Sequence, residues 1–521
     1  MISRRISLLV GIAALSLGAA PKPHQIYDVV ILGGTVYTGS DEAFVGNIGI
    51  VGDKIMYVGT SNDLPAKRIV DAKGMIVAPG FIDPHTHMGP ELASNDPKTR
   101  LIPAFLMQGV TTAFIGNDGG GSPDVGKVLA SAQTKPVGIN YAAYIGFGAV
   151  REQVMGAGDR APNAEELEKM KGLVGTAMCQ GSLGLSTGLF YAPQSFSKTG
   201  EVVELSKVAA AHGGVYDSHI RDESSYTVGL AGAIEEVLTI AREARIPAHI
   251  AHIKALGVDV QGQAPKIIAM IEAAQASGLT ITADQYPWSA SGTSLVASLM
   301  PLWAQDGGRP ALLKRFDDAA QREKLRAGIT ENLRKRGGAE KLLIVEGKYL
   351  NRTLADVAKE RNEDPVTAAI SVIRIADPGV VSFNQSEGDI TAFMKMPWVM
   401  TGSDASGGHP RVFGSFARKY AKYVVAENVI TLRQFIERST SLTADTFGLT
   451  GRGRIKQGNF ADIVVFDPKT YASQATYEQP KLLASGVRTV VVNGVLAVDN
   501  GTMTGKAAGR ALAHKPTGVC K

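Results

Sequence analysis

Between residues 80 and 404 the chain repeatedly passes from a short β-branched, apolar run to an amphipathic stretch, and this alternation constrains its fold more than any other feature. Eight strand candidates stand in the series, at 80–87, 110–118, 136–146, 181–189, 214–220, 247–254, 280–287 and 398–404. Helix-period stretches at 164–179, 201–212, 227–244 and 266–276 lie between them. Strands alternating with helices call for a parallel sheet covered by helices, and eight such units favour a closed (β/α)8 TIM-like barrel over an open doubly wound sheet. The span from Pro287 to Trp398 is too long for one crossover. It predicts an insertion at about 290–395, before the last barrel strand, with charged helical segments such as 320–336.

The two ends of the chain have another texture. Short β-branched runs at 27–37, 48–58 and 75–78 return in kind at 461–466 and 487–494, with Gly33-Gly34 and Gly52-Asp53 read as hairpin turns. They predict one small β-sandwich domain built from both ends. Its parts are 26–80 and 446–515, flanking a barrel over 81–445. Ahead of it, Arg4 and Arg5 precede an apolar run from Ile6 that closes on Gly18, Ala19 and Ala20, which reads as a signal peptide over 1–20 and predicts export to the periplasm or outside the cell. No later stretch reaches about 18 uninterrupted apolar residues, so no membrane association is expected after signal removal.

Composition excludes rather than identifies. With 45% hydrophobic and 20% charged residues the chain is not a disordered one. Lys+Arg 54 against Asp+Glu 49 is too even a balance for a nucleic-acid partner. Two cysteines make neither a disulfide scaffold nor a multi-thiolate metal site, and Cys179, inside a predicted helix, reads as a packing residue.

Barrel chemistry gathers where strands end. The first strand candidate ends Asp83-Pro-His85-Thr-His87, and histidines at i and i+2 share a side of a strand, so both imidazoles reach one ion. His219, His252 and Asp404 close the fifth, sixth and eighth candidates. Four of the nine histidines thus fall on the catalytic face together with a carboxylate. Asp118 ends the second candidate, as a ligand or as a support for the glycine-rich loop 119–122. His249 faces away from His252, His212 sits at a helix end, and His409 lies close to the eighth strand.

These residues carry a resemblance. Gly80-Phe-Ile-Asp-Pro-His-Thr-His87, the later His219, His252 and Asp404, and Gly458-Asn-Phe-Ala-Asp-Ile-Val-Val-Phe466 look like the amidohydrolase superfamily. Gly184-Leu-Ser-Thr-Gly-Leu-Phe-Tyr191, His219-Ile-Arg-Asp-Glu223, His252-Ile-Lys254, Asp284-Gln-Tyr-Pro287 and His409-Pro-Arg411 are similar to the N-acyl-D-amino-acid deacylase (D-aminoacylase) family within it. The resemblance implies a divalent metal, usually Zn2+, as one or two ions. His85 and His87 would hold one position, His219 and His252 the other, and Asp404 would be the general base. It also offers Tyr191, Lys254 and Arg411 for a substrate carboxylate, Arg221, Asp222 and Glu223 as supports of the histidines, and Ser289, Ser291 and Thr293 for an acyl pocket.

Two departures stand out. The family usually carries a cysteine ligand where this chain has Asp118, which hardens the site. The fourth strand ends without the lysine that bridges two metals in other relatives. The implied reaction is hydrolysis of a linear amide, a carbon-nitrogen bond other than a peptide bond, in an N-acyl-D-amino acid. A metallo-dipeptidase on D-residue or unusual peptides, and a cyclic amidase of the hydantoinase or dihydroorotase type, are the rival activities. The expected partner is a small acyl amino acid or short peptide, and a homo-oligomer stays open.

Overall fold

The computed structural model describes residues 25–520, so the segment read as an export signal lies outside the described residues. The barrel strands are Phe81–Asp83, Val110–Ile115, Asn140–Ala143 (resuming after Tyr144 as Ile145–Gly146), Gly184–Gly188, Val215–His219, Ala248–Ile250, Ile281–Gln285 and Val399–Thr401. Their neighbours pair in parallel in that order. The last strand returns to the first through a Thr86–Ala405 bridge, with Asp404 N donating to His85 O at 3.0 Å and His87 N to Ala405 O at 2.9 Å. All eight expected strands are present and the barrel is closed.

Local sequence explains the outer helices. Asn163 caps Ala164–Cys179, its side chain accepting from Glu166 N while the Glu166 carboxylate accepts from Asn163 N. Gly229–Ala244 buries Leu230, Ile234, Val237, Leu238 and Ala241, the one-sided stripe of a 3.6-residue period. Each large aliphatic side chain so buried contributes about 1.5–3 kcal/mol. Inside the barrel, Ile82, Phe114, Tyr144, Val215 and Met400 pack with Phe447, whose ring centroid is 4.9 Å from that of Phe114.

The β domain is a nine-stranded sheet drawn from both chain ends, as expected. Its layers belong to one continuous sheet that curls over a shared core of Ile31, Ile48, Ile50, Ile463, Val465 and Val491. Gly33-Gly34 is a bulge rather than a hairpin turn. Tyr27–Val36 runs through it as one strand, Gly33 takes φ +72°, and the register against Phe44–Val51 shifts between Ile31 and Gly34. The turn at Gly52-Asp53 is where the sequence put it.

The insertion has its own four-stranded antiparallel sheet, from Ala290–Ser294 to Gly379–Phe383, and its own apolar cluster with the helices Gly308–Asp317, Arg322–Lys335, Leu354–Arg361 and Pro365–Ile375. It spans 290–383, shorter than 290–395, because Glu387–Lys395 buries Ile390, Phe393 and Met394 in the main barrel core.

The C-terminal boundary also shifts. The last β-domain strand is Thr502–Met503, and the chain then crosses the N-terminal ends of the third to fifth barrel strands. Along this path Tyr141 N donates to Arg510 O, Leu512 N to Tyr141 O, His514 N to Gly181 O and Thr517 N to His212 O. The tail ends in a disulfide between Cys520 and Cys179. Cys179 is therefore a cross-link and not a packing residue; a separation of 341 residues left no local sign of the pairing. No helix among the described residues is long and apolar enough to cross a membrane.

Candidate active site

The four histidines converge on Asp118. His85 Nε2 lies 3.3 Å and His252 Nε2 3.6 Å from Asp118 Oδ1, while His87 Nε2 is 3.5 Å and His219 Nδ1 3.7 Å from Oδ2. Asp404 Oδ1 stands 3.2 Å from His87 Nε2 and 3.8 Å from His85 Nε2. The fifth and sixth strands bring His219 and His252 together, Nδ1 to Nε2 at 2.9 Å. His85 and His87 lie just past the end of the first strand, on the segment bridged to Ala405.

This arrangement is held under backbone strain. Asp118, His252 and Asp404 have φ of 55°, 33° and 48°, in the left-handed region that non-glycine residues seldom occupy. Gln194 fixes the Asp118 loop, donating to Asp118 O at 2.9 Å and accepting from Gly188 N at 2.7 Å. Gly119, at φ +73°, is required there: a Cβ would meet Gln194 Oε1 at 2.0 Å.

A second layer orients the first. Glu223 Oε1 is 3.1 Å from His252 Nδ1 and 2.5 Å from Lys254 Nζ, which also reaches His252 Nδ1 at 2.6 Å; occupying Nδ1 turns Nε2 toward Asp118. Of the three residues expected to support the histidines, only Glu223 does so directly. Arg221 pairs with Glu236 at 2.7 Å, and Asp222 accepts from Thr227 N and Gly229 N at the start of a helix. Sequence reasoning missed the supports below. His249 Nε2 is 3.1 Å from Asp284 Oδ1, which also accepts from His252 N at 2.9 Å. Asp83 accepts from Ser403 N at 3.0 Å, and Asn117 Nδ2 donates to Asp217 at 3.1 Å. Asp83 and Asp284 stand inside the quoted motifs, so their acidity at a strand end was the available signal.

Electrostatics follow from burial and pairing. Burial pushes Asp83 up to about 8 and Asp217 well above the carboxylate range. Burial opposes charge on Asp118 too, yet the imidazoles of His85 and His219 override it and hold Asp118 well below its ordinary value. Asp404 is likewise buried, and the Arg411 guanidinium, 2.7 Å away, keeps its carboxyl far below the usual range.

The donors open on a cavity of about 380 Å³ lined by the barrel and the insertion. Tyr191, Lys254 and Arg411 all line it. Tyr191 packs on His219 at 4.8 Å between ring centroids, while Lys254 and Arg411 are engaged by Glu223 and Asp404. His409 accepts from Arg411 N at 3.0 Å and so positions it. Ser291 and Thr293 reach the cavity, and Ser289 is not among its lining residues.

The donor set suits a divalent ion. His85, Asp118 and His252, and separately His85, His87 and Asp404, offer ligand atoms within 4.8 Å of one another. His85 Nε2 and Asp118 Oδ1 are buried without hydrogen-bond partners among the described residues, as groups meant for a metal would be.

Known proteins share this architecture. Residues 68–498 match the model of the amidohydrolase family. The chain is 32% identical to a D-aminoacylase of Alcaligenes xylosoxydans xylosoxydans, covering 94% of this chain and 98% of that protein. It is 31% identical to an N-acyl-D-glutamate deacylase of the same organism, covering 90% and 93%. The crystal structure of N-acyl-D-glutamate deacylase from Bordetella bronchiseptica, complexed with zinc and a phosphonate inhibitor that mimics the tetrahedral intermediate, superposes with a TM-score of 0.80 at 28% identity, over 94% of this chain and 100% of that one. With its histidines, its aspartates and its closed barrel read together with a family match over most of its length, the chain belongs to the amidohydrolase family.

Proposed function

We propose that this protein is a metal-dependent deacylase of N-acyl-D-amino acids, releasing a carboxylate and a free D-amino acid. The convergence of four histidines on Asp118, with Asp404 beside His85 and His87, at the head of one cavity carries the reading. His85, His87, Asp118, His219 and His252 would hold zinc, as one or two ions. A divalent ion held there polarises the amide carbonyl and lowers the pKa of water toward neutrality.

The chain's own residues do the rest. Asp404, kept ionised by Arg411, accepts a proton from the attacking water on Oδ1, beside His87, and returns it to the leaving amine nitrogen. Glu223 accepts from His252 Nδ1–H and so leaves the Nε2 lone pair toward Asp118, while Lys254 neutralises Glu223. Arg411 keeps its Nε free of hydrogen bonds and Tyr191 walls the cavity, so both can meet the substrate's α-carboxylate. Lysine is absent from the end of the fourth strand, which supports a linear substrate over a cyclic one.

We also propose that the protein is exported to the periplasm or beyond. The basic, apolar start supports this, and so does the Cys179–Cys520 pairing, since disulfides persist in oxidising compartments. N-terminal sequencing and free-thiol counting of the mature protein test it: a cleaved start and no free thiol are expected, an intact start with two thiols is not.

The test of the activity is amine release from matched N-acetyl-D- and N-acetyl-L-amino acids, before chelation, after chelation and after zinc is restored. Chelator-sensitive, zinc-restored cleavage confined to the D series is expected. Cleavage of D-dipeptides alone would favour the dipeptidase.

A further inference from the structure

Three cations line the active-site cavity, and two of them are matched. Lys254 has Glu223 at 2.5 Å and Arg411 has Asp404 at 2.7 Å. The third, Arg336, has no carboxylate within ion-pair distance among the described residues, although it is only 2% exposed. It caps the helix Arg322–Lys335 of the insertion, and its Nε donates to Ser298 O at 3.1 Å. Its Nη1 is buried without any hydrogen-bond partner among the described residues. The Tyr226 ring lies 5.7 Å from the guanidinium, and Tyr226 Oη is also buried without a partner and lines the same cavity. The insertion acids that reach this cavity are turned to backbone amides: Glu346 accepts from Gly379 N at 3.3 Å and Asp377 from Val296 N at 2.8 Å.

A guanidinium cannot shed its proton to escape burial, so an unmatched one is costly unless an anion arrives. The geometry points to Arg336 and Tyr226 as a subsite for a second carboxylate on the substrate, in addition to the α-carboxylate. The preferred substrates are then dianionic N-acyl amino acids, with the extra carboxylate on either the amino-acid side chain or the acyl group. This rests on the deacylase reading above. It places the selective residue on the insertion, away from the metal-binding histidines.

The zinc-loaded enzyme is assayed with two nearly isosteric pairs, N-acetyl-D-glutamate against N-acetyl-D-glutamine, and N-succinyl- against N-succinamyl-D-leucine. In one pair the acid should be preferred in kcat/KM by about 10- to 100-fold, the range for a hydrogen bond to a charged group. The pair that shows it identifies which part of the substrate bears the carboxylate. Arg336→Gln should bring that ratio to about one, and Arg336→Lys should keep part of it. Equal rates within both pairs in the wild type, or a ratio that survives Arg336→Gln, overturn the subsite. If no pair is cleaved, the deacylase reading fails by itself, and calorimetry of the same ligands decides the subsite: tighter binding of an acid supports it, equal binding refutes it.

Discussion

At the C-terminal end of the barrel strands, buried polar atoms stand without partners, three residues hold left-handed backbone, and carboxylates crowd against imidazoles. At the N-terminal end the inward side chains are Ile82, Phe114, Val215 and Met400 closed by Phe447, and the C-terminal tail is stitched across them by backbone hydrogen bonds and a disulfide. The contrast teaches how one barrel divides its labour. Groups that would be destabilising on their own are tolerated at one end because the other end is packed and cross-linked. Substitutions at the two ends should therefore fail differently, those at the mouth losing rate and those at the floor losing stability.

The largest effect is expected at the mouth. Asp404→Asn should lower kcat by about 10²- to 10⁴-fold, the usual contribution of a general base, with bound metal close to wild type and a lower melting temperature, because it leaves the buried Arg411 guanidinium without its carboxylate. His219→Ala should lose activity and metal together, by more than the roughly 10- to 100-fold typical of second-layer partners. Metal analysis beside kinetics separates the two, and activity near wild type in Asp404→Asn would remove Asp404 from the role of base. Arg411→Met sharpens this through pH. Arg411 holds Asp404 below its ordinary range, so its loss raises the Asp404 pKa and should move the acid limb of the kcat profile to higher pH.

How far the sequence was legible follows the same division. The mouth was readable because its chemistry is local: His85 and His87 are two residues apart, and His219, His252 and Asp404 each close a recognisable strand. Asp118 was readable as a candidate, but not its place among all four histidines, since that depends on how four strand ends meet. The floor was nearly invisible. Phe447 lies in an unremarkable segment, the tail's strap over the barrel needs contacts across hundreds of residues, and the two cysteines carry no pairing signal. Gly33-Gly34 misled for a related reason, because a glycine pair serves a bulge as readily as a turn and only the partner strand decides.

The floor predicts the next two effects. Phe447→Ala removes a ring packed on Phe114, Tyr144 and His249 and should cost about 3–5 kcal/mol in denaturant unfolding. Its kcat per folded, metal-loaded molecule should stay near wild type; a large fall in kcat at unchanged stability would break the comparison. Replacing both Cys179 and Cys520 by serine should cost about 2–4 kcal/mol and leave the tail open to proteolysis, with activity retained.

Lys419 tests the division most finely, because it is an unmatched buried polar group that does not line the active-site cavity. It begins the π-helical turn Lys419–Ala426, is fully buried, and its Nζ has no hydrogen-bond partner among the described residues. Burial, with Arg438 nearby, pulls it from 10.5 down to about 7. Between those values the unfolded chain binds a proton that the native state does not, so this lysine opposes folding near neutrality and its penalty fades as pH rises toward 10.5. Lys419→Met keeps the stem and removes the amine, so it should stabilise the protein at pH 7. The gain should shrink steadily when wild type and variant are unfolded side by side from pH 7 to 9.5, a difference that cancels other ionisations. A gain that does not change with pH would mean the amine is charged in the native state at every pH tested, and a loss of stability would mean it is held by a partner such as buried water. Either result would place an unrecognised polar site outside the mouth of the barrel, and the separation of chemistry from support would then be incomplete.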